Sequence, residues 1–363
     1  MTKTKKRSPV RRILRTLLFI VLAAIIILAG YLAYVLISYH RLPDNIVLDS
    51  VGTSDKTVSI GEEYTMVSYN IGFAAYTKDF GFFMDGGNES RARSKDAVYE
   101  NMDNITVLMS DFDADFLVIE EVDFDSTRSY HVDERELIIN ALDGYTHVFA
   151  QNYDSPYLFY PIFCPHGASK SGILTMSRFG AVSSVRRSLP IEESLMKLVD
   201  LDRCYSVTRY PAGDKELVVF STHLSAYTSD GTIATRQVRI LVEEMQAEYE
   251  KGNYVICAGD FNKDLLGEGS EIFEVTNEKY TWAQPLPDDL FLRTNLSLVA
   301  PFDPVKKVPS CRNADAPYYL GQYVITPDGF IVSDNITVTS SDVVDTGFEY
   351  SDHNPVRMTF VLE

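Results

Sequence analysis

Apolar and polar positions follow two rhythms along this chain. Short apolar runs bounded by turn residues occur at residues 64–70, 116–121, 172–177, 203–210, 216–222, 254–260, 323–333 and 355–362. Runs of that kind predict strands. Between them, Ser94–Met109 places Val98, Met102, Ile105 and Met109 at helical spacing, and Thr232–Glu250 does the same with Val238, Leu241, Val242, Met245 and Tyr249. Glu134–Leu142 predicts a third, shorter helix. Strands interspersed with helices predict two packed sheets covered by helices. There is no internal repeat. Residues 285–321 form an irregular stretch too long for a plain connector, and loops of that length are often functional.

The N-terminus breaks this pattern. Lys3, Lys5, Lys6, Arg7, Arg11, Arg12 and Arg15 form a basic head over residues 1–15. Residues 16–38 then carry no charge and are rich in Leu, Ile, Val and Ala. About 20 such residues span a bilayer as a helix. A cleaved signal would have an apolar region of roughly 7–15 residues and a small-residue cleavage site. This run is longer and continues through Tyr31, Tyr34 and Leu36, which favours an uncleaved anchor. Cations ahead of the helix place the N-terminus in the cytoplasm and the rest outside. Residues 39–61 read as a linker and 62–363 as one globular domain, expected to be monomeric.

Charge narrows the choice of partners. The 363 residues include 33 basic and 51 acidic ones, net −18. Setting aside the seven head cations leaves 26 against 51, net −25, for residues 16–363. Extended nucleic-acid binding uses Lys/Arg clusters against phosphates, which this surface does not supply. A small basic pocket for phosphate chemistry is compatible with it. The four cysteines fit no zinc spacing. Cys204 and Cys257 fall in apolar runs, whereas Cys164 and Cys311 fall in loops where they could pair in an oxidising compartment.

Polar residues punctuate the strand ends. Asn70, Glu120-Glu121, His223 and the pair Asp260/Asn262 close runs; Asp328 and Asp352-His353 open them. Asp260 and Asn262 are two apart, so an extended backbone turns both to one face. They can hold a water, a proton or a phosphate oxygen there, although Asp and Asn also favour simple turns. Turn chemistry alone would include more Ser, Gly and Pro than these positions show.

The chain resembles the exonuclease–endonuclease–phosphatase superfamily, which includes pancreatic deoxyribonuclease, abasic-site endonucleases, inositol polyphosphate 5-phosphatases and neutral sphingomyelinases. The matching pieces are Ser68-Tyr69-Asn70-Ile71, Val118-Ile119-Glu120-Glu121-Val122, Ser171–Arg178, Ser221-Thr222-His223-Leu224, Gly259-Asp260-Phe261-Asn262, Asp328–Ser333 and Ser351-Asp352-His353-Asn354-Pro355, in the family's order. Glu120 departs from the family, which usually has Gln there. The resemblance, which covers about residues 62–363, implies a four-layer α/β sandwich that hydrolyses phosphate esters with Mg²⁺, or Mn²⁺ in its place; the N-terminal transmembrane helix read above precedes it. Mg²⁺ takes hard oxygen ligands and keeps waters. By the resemblance, Glu121 is the main metal ligand, Asp352 a second one, and Asn70 orients Glu121 or the phosphate. Asp260 with Asn262 positions and deprotonates the attacking water. His353, held by Asp328, shares that proton or stabilises the phosphorane oxygens. His223 donates to the phosphate from the opposite side.

Two aromatic stretches follow the strands. Phe73, Tyr76, Phe80, Phe82 and Phe83 come after Asn70; Tyr153, Tyr157, Phe159, Tyr160 and Phe163 precede His166 and Lys170. Such density is usual for core, and if exposed it suits a lipid headgroup surface or base stacking. Arg312, Lys170 and His166 are candidates for gripping substrate. The leading expectation is a membrane-anchored phosphoesterase facing outward that acts on a phospholipid headgroup or a small phosphate ester. An extracytoplasmic nuclease is the alternative, and a non-catalytic tethered binding module is the alternative of another class.

Overall fold

A computed structural model of the chain describes residues 9–193, 197, 201–226, 232–275 and 283–363. Part of the basic head, residues 1–8, lies outside them. The chain divides into two units, Met1–His40 and Arg41–Glu363. In the first, Pro9–Ser38 is one α-helix, long and apolar enough to cross a membrane.

The second unit is built on two mixed sheets. One has six strands in the order Ile336–Val343, Val356–Leu362, Glu63–Asn70, Phe116–Asp123, Lys170–Ser177, Thr146–Asp154. The other has seven, in the order Ile46–Val47, Ser183–Ser188, Cys204–Ala212, Lys215–His223, Tyr254–Asp260, Asp328–Ser333, Leu296–Val299. Each sheet holds one parallel pair among antiparallel neighbours: Glu63–Asn70 with Phe116–Asp123, and Lys215–His223 with Tyr254–Asp260. Parallel strands need a crossover. The helices Lys95–Asp111 and Thr232–Tyr249 supply them. Ser94 caps the first helix by accepting from Ala97 N.

Alternation along the strands sorts side chains into three apolar layers. Met66, Phe116, Val118, Ile173, Val219, Ile256 and Phe330 are buried between the sheets. Tyr69, Leu117, Ile119 and Leu174 face the other way, against Val98, Met102 and Ile105 of the first crossover helix. Val218, Phe220 and Val255 pack against Val238, Leu241 and Met245 of the second. This is the expected four-layer α/β sandwich.

Three expectations change in detail. The run 323–333 is not one strand: it splits into Val324–Ile325 and Asp328–Ser333 around Thr326-Pro327. Pro327 has no N–H to donate to a ladder, and its carbonyl accepts from Phe261 N at 3.0 Å. The break starts the second strand with Asp328 directly across from Asp260. Second, residues 39–61 are not a free spacer. Ile46–Val47 pairs with Val185 and Arg186, and Val58 is buried beside the inter-sheet core. Third, the strands Thr146–Asp154, Ser183–Ser188, Leu296–Val299 and Ile336–Val343 had no clear apolar signature. The last reads Ile-Thr-Val-Thr-Ser-Ser-Asp-Val, an edge strand with one face in water. Cys164 and Cys311 are both free.

Candidate active site

The strand ends converge where the two sheets meet. In the seven-stranded sheet, His223 pairs in register with Asp260, and Asp260 with Asp328, so the three form a row on one face. In the facing sheet, Asn70 pairs in register with Glu120. The two rows touch: Asn70 Nδ2 donates to Asp260 Oδ2 at 3.2 Å, while Asn70 Oδ1 accepts from Gly72 N at 3.0 Å. Asn70 therefore braces Asp260.

Local backbone geometry aims these groups. Gly259 has φ of +147°, and a Cβ there would lie 1.9 Å from the Thr222 carbonyl oxygen. Glycine is required for this close approach. Asn262 follows in the left-handed region (φ 49°); its N–H donates to Asp260 Oδ1 at 2.8 Å and its Nδ2 to Leu224 O at 2.8 Å. Glu121 is also left-handed (φ 56°), at a register shift between Ile119 and Val122. A bulge of this kind re-aims a side chain. It is why Glu120 and its neighbour Glu121 have different surroundings: Glu120 is fully buried and Glu121 half-buried.

His353 arrives from the loop before the last strand. Its Nδ1 lies 2.8 Å from Asp328 Oδ2, and its Nε2 3.9 Å from Asp260 Oδ2. Ser310 Oγ donates to Asp328 Oδ2 at 2.6 Å, and Ser351 Oγ donates to Asn70 O at 2.8 Å. Sequence reasoning singled out neither serine as functional; a hydroxyl that braces a carboxylate has no motif of its own. His223 Nε2 is 3.6 Å from Asp260 Oδ2, and His223 Nδ1 has no hydrogen-bond partner among the described residues.

Burial and neighbouring charge set the protonation of the group. Burial, then the Asp328 charge, pushes the Asp260 carboxyl up to about 7. Burial opposes charging of His353, but the Asp328 carboxylate outweighs it and holds the imidazole well above its usual range. Burial, then the cations Arg203, His353 and Arg128, drives His223 well below its usual range and keeps it neutral. Burial pushes Asp352 up to about 6; the nearby cations His353 and Arg312 oppose this, and the Glu121 charge adds to it.

The residues expected to bind substrate are dispersed. Arg312 is fully buried; its guanidinium donates to the carbonyls of Ala316, Thr77 and Phe80 and is occupied in holding the long loop. Lys170 Nζ lies 3.5 Å from Asp125 Oδ2, near the surface. His166 is buried, with Nδ1 2.8 Å from Ser90 O, among the rings of Phe73, Phe82 and Phe83. Arg312 nonetheless lies near enough for its charge to act on Asp352, and a cation that the sequence did not single out acts on the site as well. Arg128 forks onto Asp123 at 2.9 and 3.0 Å and stacks on Phe73 at 3.9 Å, close enough for its charge to act on His223.

Residues 67–353 match the model of the endonuclease/exonuclease/phosphatase family. The chain belongs to this family. Among solved structures, an endonuclease/exonuclease/phosphatase from Beutenbergia cavernae DSM 12333 superposes with TM-score 0.55 at 18% identity, covering 83% of this chain and 72% of its own. ANGEL2, described as a 2′,3′-cyclic phosphatase and solved with adenosine-2′,3′-vanadate, gives 0.54 at 17% identity, with 88% and 99% covered. The human Nocturnin catalytic domain with bound sulfate gives 0.52 at 17%, with 87% and 97% covered. At these identities the likeness is one of fold. No curated protein sequence matches the chain.

Members of this family depend on a divalent metal, and the chain carries donors that fit one. Glu121 and Asp352 offer carboxylate oxygens near enough that the charge of one raises the other. Two mutually repelling carboxylates with hard donors suit a divalent cation. Asp260, Asp328 and His353 form a second group whose ligand atoms lie within 4.8 Å of one another.

Glu120, the departure from the family's usual Gln, is explained by its surroundings. Its Oε1 accepts from Ser68 Oγ at 2.9 Å and its Oε2 has no partner among the described residues. Burial, then the charges of Asp328 and Asp260, drives its carboxyl well above the usual range. A protonated carboxyl is a neutral, planar group nearly isosteric with Gln. Because the folded protein holds this proton and the unfolded chain releases it near its ordinary value of 4.5, folding stability falls as pH rises from there, by at most about 1.4 kcal/mol per pH unit. Glu120→Gln removes that slope. In metal-free thermal melts between pH 5 and 8, the gain of the variant over the parent chain is expected to grow with pH. A gap that stays constant would mean Glu120 is charged in the fold.

Proposed function

We propose that this chain is a membrane-anchored, Mg²⁺-dependent phosphoesterase whose substrate is a phospholipid headgroup or a small phosphate ester. The observation that carries this reading is the meeting of Asp260, His353, Asp328 and Asn70 where the sheets converge. Glu121 and Asp352 would hold the divalent cation, which would supply charge stabilisation to the phosphoryl oxygens. Asp260, fixed by Asn70 Nδ2 and Asn262 N, accepts the proton of the attacking water. Its raised pKa makes it a base near neutral pH. The His353 imidazolium, fixed by Asp328, offers Nε2 toward the space beside Asp260, where a developing phosphorane oxygen gains from a positive donor. Neutral His223 stands on the other side of Asp260 and has a proton to donate to the phosphate.

The anchor is supported by the 30-residue apolar helix, with Arg11, Arg12 and Arg15 near its start. It predicts that the membrane fraction contains the intact chain. A mature mass beginning near residue 30–42 would replace the anchor with a cleaved signal.

Glu121→Gln keeps the shape and removes the charge. It should weaken Mg²⁺ binding in a substrate-free calorimetric titration by at least about tenfold, and barely move the metal-free melting temperature. Unchanged Mg²⁺ affinity would place the metal elsewhere, with Asp260, Asp328 and His353 as the next candidates.

Asp260 and His353 should act as a unit. Asp260→Asn and His353→Ala are each expected to lower kcat by about 10²–10⁴, and the double variant by much less than the product of the two. Activity should fall on the acid side as pH drops through about 7, where Asp260 takes up its proton. Strict multiplicativity in the double-mutant cycle would mean the two side chains work independently.

A further inference from the structure

The two aromatic stretches have opposite fates. Phe73, Tyr76, Phe80 and Phe82 are buried in the core under the first crossover helix. In the second, Tyr153 is buried and Tyr157 partly so, but from residue 159 the chain projects outward: Phe163 is fully exposed, Ile162 76% exposed, Tyr160 66% and Phe159 56%. These four lie within five consecutive residues. The loop is held in shape by its own backbone. Leu158 and Gly167 exchange N–H···O bonds at 3.1 Å, His166 N donates to Tyr160 O at 3.1 Å, and Ser155 N to Ser169 O at 2.9 Å. Ser90 Oγ donates to the Cys164 carbonyl. A contiguous, ordered apolar protrusion of this kind marks an interaction site.

Its chemistry selects the partner. Residues 155–169 contain no Asp, Glu, Lys or Arg in a chain of net charge −18. His166 is buried, and burial, then Arg128, pushes it down to about 4, so it too is neutral. Base stacking on a nucleic acid uses aromatics interleaved with cations along a basic groove, and this loop has none. Tyr and Phe with aliphatic neighbours are the composition of the membrane interface. An acidic domain is repelled by anionic lipid, which leaves a zwitterionic surface. The apolar helix Pro9–Ser38 supplies an independent reason for a bilayer to be at hand.

The loop is also tied to the site. Tyr160 packs on Phe83 with ring centroids 5.6 Å apart, Phe83 on His166 at 6.2 Å, and His166 on Phe73 at 6.5 Å. Phe73 lies three residues after Asn70 and beneath the Arg128 guanidinium. We infer that the loop 157–163 seats in the interfacial layer of a zwitterionic phospholipid bilayer and brings the site to the phosphoester of a lipid in that surface. The second half of this inference rests on the phosphoesterase reading above; the first does not.

The test uses the full chain reconstituted in phosphatidylcholine vesicles. Phe163→Trp adds a reporter to a chain whose single tryptophan is Trp282. Phosphatidylcholine brominated on its acyl chains should quench the added emission at least about twofold beyond the parent chain, with a blue shift. Emission quenched no more than in the parent overturns the inference, whatever else the loop binds. In the second arm, Phe159→Ser/Phe163→Ser should lower turnover of a phospholipid in the vesicle surface roughly tenfold or more. Turnover of soluble bis(p-nitrophenyl) phosphate should stay unchanged. Equal loss on both substrates overturns the interfacial role. If the parent chain turns over neither substrate, the phosphoesterase reading fails, and the quenching arm alone still decides where the loop sits.

Discussion

Asp260 and Asp328 stand directly opposite each other on neighbouring strands, and both are buried. Like charges in that position are destabilising, and burial adds a desolvation cost. Much of the surrounding structure answers this one conflict. His353 brings a positive charge to Asp328, Ser310 donates to the same carboxylate, and Asn70 and the Asn262 N–H donate to Asp260. These partners come from both sheets, from the long loop and from the loop before the last strand. The last strand pairs with Glu63–Asn70, so closing the chain onto the first long strand is also what delivers His353. Even so the conflict is only partly resolved: Asp260 responds by holding its proton more tightly than a free carboxyl does. A carboxyl perturbed in this way is what a proton-handling site requires.

The sequence made the row His223, Asp260, Asp328 legible because each residue ends or begins an apolar run, and strand ends in a two-sheet sandwich must meet somewhere. It did not show that Asp328 begins its strand because Pro327 interrupts the one before it; continuous apolarity over 323–333 hid the break. The left-handed residue at Glu121 was equally invisible, since two adjacent glutamates look equivalent until a bulge buries one in the core and leaves the other half-buried. The surroundings of Arg312 were not legible either: a basic residue in a polar loop resembles a phosphate ligand, and the structure adds that three carbonyls of that loop and its neighbours accept from its guanidinium. The aromatic stretches were ambiguous for a related reason. Composition gives the apolar content of a segment, and only the packing around it decides whether that content is buried.

Charge inside the site runs against charge outside it. The chain is strongly acidic overall, yet Arg128 and Arg203 are buried near His223 and both act on its titration. A long polyanion would have to lie along the acidic exterior to place one phosphate in the crevice, and would lose the counterion-release gain that basic surfaces provide. A single small phosphate would meet only the interior, where the Arg128 and Arg203 guanidiniums and the His353 imidazolium stand among the carboxylates. Low dielectric in the crevice strengthens these attractions relative to the screened repulsion outside. The same distribution makes a zwitterionic surface a better neighbour than an anionic one, because such a surface presents its phosphates without a net charge to oppose the approach of the domain.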